Sequence, residues 1–204
     1  MRQAAGPLSR KVTRSAERLD LLIFTEGEQT ETSYLRYWHR EFRDRVAIVF
    51  DSRHGGPKQL VEWAASRKRD ELRSATRGGG QAFGQVWCVF DIDAHPQIPE
   101  AIDMAHANDI HLAISSPCIE LWFVLHFANQ TAHIERGDIQ RRSRELLSCE
   151  KRLTATALDA LRKGHADATI RAYALAKKHT GDGSLPTTNP STSIPDLVET
   201  IRNA

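Results

Sequence analysis

Leu21-Leu22-Ile23-Phe24-Thr25-Glu26-Gly27-Glu28 and, further along, Val86-Trp87-Cys88-Val89-Phe90-Asp91-Ile92-Asp93 decide the fold of this chain. Each is an unbroken apolar run that ends in carboxylates. Parallel strands buried on both faces read as such continuous runs. In open α/β sheets, ligands bind outside the carboxyl ends of the strands. If both runs belong to one sheet, several carboxylates meet at one edge without a sequence-local counter-charge. At roughly 4 Å and an effective dielectric near 20, each like-charge pair costs about 4 kcal/mol. Raised proton affinity or a divalent cation relieves that cost.

The pattern around these runs alternates strand and helix. A strand near 21–26 precedes a helix near 31–44, with Tyr34, Leu35, Trp38 and Phe42 on one face. Val46-Ala47-Ile48-Val49-Phe50 reads as a second strand. His54-Gly55-Gly56-Pro57 breaks the chain before a helix bearing Leu60, Val61, Ala64 and Ala65. Arg77-Gly78-Gly79-Gly80 is a turn without the GK[ST] of a phosphate-binding loop. The third strand covers 85–91, a helix follows over 97–108, and Ile110–Ile114 forms a fourth strand. Strands separated by helices imply a parallel sheet with right-handed crossovers. The fold class expected is thus α/β, a Rossmann-like sheet of about four strands flanked by helices.

Beyond the fourth strand the character changes. Ser115-Ser116-Pro117 reads as a helix start, since serine caps helices and proline suits their first position. Leu121–Phe127 is apolar all round, as in a buried helix. Residues 137–180 read as helical, 181–193 as a loop, and Ile194, Leu197, Val198 and Ile201 as the stripe of a final helix. The organisation expected is a flexible basic arm over 1–19, an α/β domain over 20–130, and a helical extension over 131–204 packed on the core.

Composition excludes some classes. A net charge of +2 makes no argument for wholesale coating of nucleic acid. Local basic clusters do exist, at Arg67-Lys68-Arg69 with Arg73 and Arg77, and at Arg141-Arg142 with Arg144 and Lys151-Arg152. Cys88, Cys118 and Cys149 are odd in number and far apart, which argues against a disulfide framework or zinc ribbon and for a reducing cytoplasm. The nine histidines form no HExxH pattern. No run approaches the ~18 apolar residues of a membrane span, and the N-terminus has no apolar core of a secretory signal.

Four segments carry a family resemblance. Ile23–Glu31 with Tyr34, then Asp91-Ile92-Asp93, then Ser115–Phe127 resemble the motifs of the RloB-like family, as does Asn189-Pro190-Ser191-Thr192 with Leu197-Val198 after it. Ser116 and Ile119 depart from that pattern, which usually has Asn and Phe there. The resemblance implies a branch of the Toprim superfamily and a divalent-metal-dependent nuclease of bacterial anti-phage or abortive-infection systems, often beside an ATPase partner. Nothing in the chain matches the tyrosine nucleophile of topoisomerases or the zinc module of primases.

The residues point the same way. Asp91 and Asp93, spaced i, i+2, project from the same side of an extended strand. Two hard oxygen ligands at a strand end suit Mg²⁺ or Mn²⁺; an Asp-rich turn is the alternative. Glu26 completes the site or moves a proton, or else is a loop carboxylate favoured by a helix dipole. Glu120, in the first turn of an apolar helix, is favoured there by the helix dipole, and the resemblance implies that it is a further metal ligand. Glu28 reads either as a second carboxylate of the site or as a solvated surface residue, His126 as a core histidine, and Ser115 and Ser116 as caps. Lys58, Arg67 and Arg73 are candidates for contacting substrate phosphate. The expected reaction is metal-assisted phosphodiester hydrolysis of DNA or RNA. The alternatives are a non-catalytic nucleic-acid or nucleotide-binding subunit, and an interaction module whose helical tail docks an ATPase or a second copy.

Overall fold

The computed structural model describes residues 18–79, 81–92 and 97–204. The basic arm, Gly80 and Asp93 lie outside these residues, apart from the last two positions of the arm. One sheet organises the molecule. Strand β1 (Leu19–Thr25) lies between β2 (Val46–Phe50) and β3 (Gln85–Asp91), and β4 (His111–Ser116) continues beyond β3. These four run parallel. A two-residue strand β5 (Ser191–Thr192) closes the far edge, antiparallel to β4.

Alternation along each strand splits the apolar residues between two layers. Leu22, Phe24, Val86, Cys88 and Phe90 face α2 (Pro57–Thr76) and α3 (Ile98–Ala107). Leu21, Ile23, Trp87 and Val89 face the other layer, built from α1 (Thr30–Glu41), α4 (Glu120–Leu125), α5 (Arg136–Leu147), α6 (Ala155–Gly181) and α7 (Ile194–Asn203). The strands are apolar throughout because both faces are covered. The second layer holds the largest buried side chains, and the Trp122 indole N–H donates to the Tyr34 hydroxyl at 2.8 Å, tying α4 to α1. Full burial of each such residue is worth about 1.5–3 kcal/mol.

Three local expectations change. Ser115 and Ser116 end β4 instead of capping a helix: both pair with β5, and α4 begins only at Glu120. The serine hydroxyl serves the sheet edge, since Ser115 Oγ lies 2.9 Å from Thr192 Oγ1. The long helical reading of 137–180 divides in two. Ser148 ends α5 in the left-handed region (φ 51°), and Thr154 starts α6 by accepting the Ala157 N–H at 3.2 Å. The stretch carries no proline or glycine at the break, so only the Thr154 cap signals it. Finally, the loop before α7 contributes β5, held by side-chain and backbone bonds to β4 that a two-residue segment cannot announce.

The last helix lies inside the fold. Ile194, Leu197, Val198 and Ile201 are each no more than 1% exposed. Leu197→Ala is expected to cost about 2–5 kcal/mol in urea unfolding, as for a large-to-small change in a packed core. Ile170→Ala on α6, where the side chain is 68% exposed, is expected to stay within about 0.5 kcal/mol.

Candidate functional site: a carboxylate cleft at the sheet edge

The parallel register of β1 and β3 brings Thr25 opposite Val89. The next residue, Glu26, is held by its backbone N–H donating to the Val89 carbonyl at 2.9 Å. Its side chain then reaches across, and Glu26 Oε2 accepts the Asp91 backbone N–H at 3.0 Å. On the far side of β3, Asp91 pairs in register with Ser115, and the Ile92 N–H donates to the Ser115 carbonyl at 2.7 Å. The ends of β1, β3 and β4 are thereby locked to one another at the carboxyl edge of the sheet.

Two more carboxylates join this edge. Glu31 sits in the first turn of α1, where an anion is favoured by the helix dipole, and is buried. Glu120 is in the first turn of α4 and half-buried. Gly27 explains how Glu31 folds inward: a Cβ at Gly27 would collide with the Glu31 carboxylate oxygens. Glu31 belongs to the motif that follows β1, but the sequence reading assigned it no role. An acidic residue in a first turn is commonplace, and only the glycine four residues earlier hinted at a carboxylate packed back on the loop.

Asp91 is the most buried member of the cluster. Burial pushes its carboxyl well above the usual carboxylate range; the charges of Glu31, Glu120 and Glu26 add to the shift and Arg136 opposes it. Burial likewise raises Glu31, against backbone hydrogen bonding at Glu31 and Gly27 and with help from Glu120 and Glu26. The counter-charge comes from far away in sequence. Arg136, the first residue of α5, donates to Asp91 Oδ2 at 3.2 Å. The cleft enclosed here has a volume of about 340 Å³, with Glu31, Asp91, Glu120, Arg136 and Lys151 in its wall.

The structure thus places Glu26, Asp91 and Glu120 at one edge and adds Glu31 and Arg136. Asp93, two residues past Asp91, lies outside the described residues. Glu28 is exposed in the β1–α1 loop and borders the cleft. Lys58, Arg67 and Arg73 belong to α2, on the opposite face of the sheet from α1, and none of them lines the cleft. His126 is buried away from it: Nδ1 donates to the Trp122 carbonyl at 2.8 Å, and burial pushes the imidazole down to about 3. Cys118 lies beneath Glu120, its thiol pushed up by burial and by that carboxylate.

Carboxylate oxygens are the donors that Mg²⁺ and Mn²⁺ prefer, and magnesium takes only one or two of them while keeping several waters. The donor set in the cleft fits such an ion. Among the described residues, no group of three or more His, Cys, Asp or Glu forms a ready ligand cage. The extra charge of the cluster is carried instead by Arg136 and by raised proton affinity.

Fold and cleft together define an α/β protein with a carboxylate cluster at the carboxyl edge of a mainly parallel sheet. The family model for RloB-like proteins matches residues 21–201, most of the chain, and the chain belongs to that family. Comparison with curated proteins and with solved structures returned no match. Among the described residues, no helix is long and apolar enough to cross a membrane.

The raised carboxyl of Asp91 has a signature in stability. Its folded-state value lies well above the ordinary 3.8. The folded protein therefore holds a proton that the unfolded chain has released, and stability falls as pH rises from the ordinary carboxylate range through the raised value. In EDTA, Asp91→Asn is expected to melt above wild type near pH 8, with the gap closing toward pH 4. At this chain length each kcal/mol shifts Tm by about 2–4 °C. Thermal melts across that pH range check it.

Proposed function

We propose that this chain is a divalent-metal-dependent nuclease of the Toprim type, working in the bacterial cytoplasm against phage. The observation that carries the reading is that Glu31, Asp91 and Glu120 line one cleft at the carboxyl edge of the sheet, with the Glu26 carboxylate bound to the Asp91 backbone beside it. A cluster of that charge suits a magnesium or manganese ion. Asp91 and Glu26 would hold the metal, with Asp93 and Glu120 as further ligands.

When bound, the metal supplies positive charge to a phosphate oxygen and a water of lowered pKa. The chain's own groups do the rest. Glu26, fixed by the Asp91 amide, accepts or returns a proton at the attacking water or the leaving oxygen. Glu31, whose proton affinity is raised by burial, is a second proton store in the same wall. Arg136, beside Asp91, and Lys151 line the same cleft and would offer positive charge to the scissile phosphate. The family resemblance adds an ATPase as partner, and a homo-oligomer is compatible with it.

One observation favours a second reading. Arg136 gives Asp91 an ion-pair partner from within the chain, as it would in a non-catalytic subunit that binds nucleic acid or nucleotide and regulates an ATPase. Incubation with labelled DNA and RNA panels separates the two. The nuclease reading expects cleavage with Mg²⁺ or Mn²⁺ and none in EDTA. Loss of groups that merely orient a metal ligand costs about 10–100-fold, so Glu26→Gln and Asp91→Asn should each lose roughly 100-fold or more. Binding without cleavage under every metal condition selects the regulatory reading.

A further inference from the structure

The acidic cleft is one end of a longer depression. Thr30, Glu120 and Lys151 line the cleft and also the hollow beside it, under α5. Leu153 lines that hollow and also a third depression of about 550 Å³ between α1 and the start of α6. The α5–α6 loop runs along all three and is pinned to α1, since the Thr30 hydroxyl donates to the Lys151 carbonyl at 3.0 Å. Three recesses thus join end to end beneath one loop.

The charge along this path changes sign. The far depression carries Arg36, Arg40 and Arg152, with Tyr37 between the first two. Ser33, Arg36, Tyr37 and Arg40 recur at intervals of three and four, so they share one face of α1, while Tyr34 and Trp38 turn inward. Among the described residues, Arg36, Arg40, Lys151 and Arg152 form no ion pair. Arg36 rests over the Phe50 ring at 4.7 Å and Arg40 over Tyr37 at 6.0 Å, which steadies the guanidinium groups without neutralising them. In the middle hollow, the carboxylate of Glu150 is matched by Arg144 at 3.7 Å.

The basic cluster on α2 differs. Arg67 is paired with Glu71, Lys68 with Asp109 and Arg73 with Asp70. Those three charges are spent on the protein itself, and Arg69 is held by the Asn108 side chain at 3.3 Å. Among the described residues, Lys151 in the cleft and Arg36, Arg40 and Arg152 in the far depression are without an ion-pair partner.

We propose that this path is a binding track for a single strand of nucleic acid, whose phosphates run from the carboxylate cleft past Lys151 to Arg152, Arg36 and Arg40. The assignment rests on reading the cleft as a nucleic-acid site. Unpaired cations spaced along a groove follow a phosphodiester backbone, and a half-buried tyrosine among them is a platform on which an unpaired base stacks. DNA and RNA share this chemistry. A duplex keeps its bases stacked inside and gains nothing from Tyr37.

The test measures binding apart from cleavage. In a Glu26→Gln background with Mg²⁺, fluorescence anisotropy follows labelled single-stranded DNA, single-stranded RNA and duplex DNA across a salt series. Each phosphate contact on a single strand contributes about −0.7 to the slope of log affinity against log salt. Arg36→Gln/Arg40→Gln should lower the slope by about 1.4 and weaken single-strand binding on the order of tenfold near 0.1 M salt. Lys177→Gln/Lys178→Gln, an equal loss of charge elsewhere on α6, should change neither, and melting curves confirm that both variants are folded. Tyr37→Leu should weaken single strands more than duplex; the DNA and RNA arms tell which sugar is preferred.

The track is overturned if binding is undetectable or duplex binds as tightly as single strands. It is also overturned if the α6 pair, or Arg67→Gln/Arg73→Gln on α2, matters as much as the α1 pair. Single-strand binding that depends on Arg36 and Arg40, in a wild-type protein that cleaves nothing, sinks the nuclease reading and leaves the track standing. Cleavage by wild type that is indifferent to the α1 pair does the reverse.

Discussion

The side chain of Glu26 holds the backbone of Asp91, and much of the molecule is arranged around that hydrogen bond. It crosses between neighbouring strand ends, so it exists only in the parallel register that pairs Thr25 with Val89. A slip of one residue would turn every side chain of β1 to the other face. It would drive Leu21 and Ile23 out of the large core and swing Glu26 away from Asp91. The apolar register and the position of the acid are therefore one constraint. The deep core on the α1 side, anchored by Trp122 on Tyr34, sets a charged edge that would otherwise repel itself.

That repulsion is managed in three ways at once. Asp91 and Glu31 gain proton affinity, Arg136 leans in from α5, and the first turn of α1 places its N–H groups near Glu31. None of these is complete. A buried carboxylate with one guanidinium partner at its rim is still costly, which is why a cation of higher charge density would be welcome in the same cleft. Raised carboxyl groups and an affinity for divalent ions are two expressions of one electrostatic condition.

Most of the scaffold was legible in the sequence because strand runs buried on both faces leave no ambiguity of period. β1 to β4 and the helices between them fall close to where the apolar pattern puts them. Glu26 and Asp91 could be named because each stands where an apolar run stops, and Glu120 because the family resemblance covers it. The unread part has two physical sources. Glu31 and Arg136 act through geometry that spacing does not encode: one through an inward rotamer made possible by Gly27, the other across 45 residues of chain. Ser115 and Ser116 misled because serine before proline is a helix signal in isolation, whereas here the hydroxyl of Ser115 bonds to Thr192, 77 residues later. Local chemistry was overruled by a partner that only the tertiary fold supplies.

The closure of α7 against α1 and β4 also governs how the chain reaches its native state. Arg45, just past α1, donates to the Arg202 carbonyl across 157 residues, and Trp122 reaches Tyr34 across 88. Loops of that length must be closed before their contacts return any free energy. A topology dominated by distant partners folds slowly compared with a helical bundle of similar size. Until the final helix docks, the apolar surface of α1 and β4 that it covers stays open to water and to other chains. Its exposure makes the partly folded intermediate, more than the native protein, the species prone to aggregate.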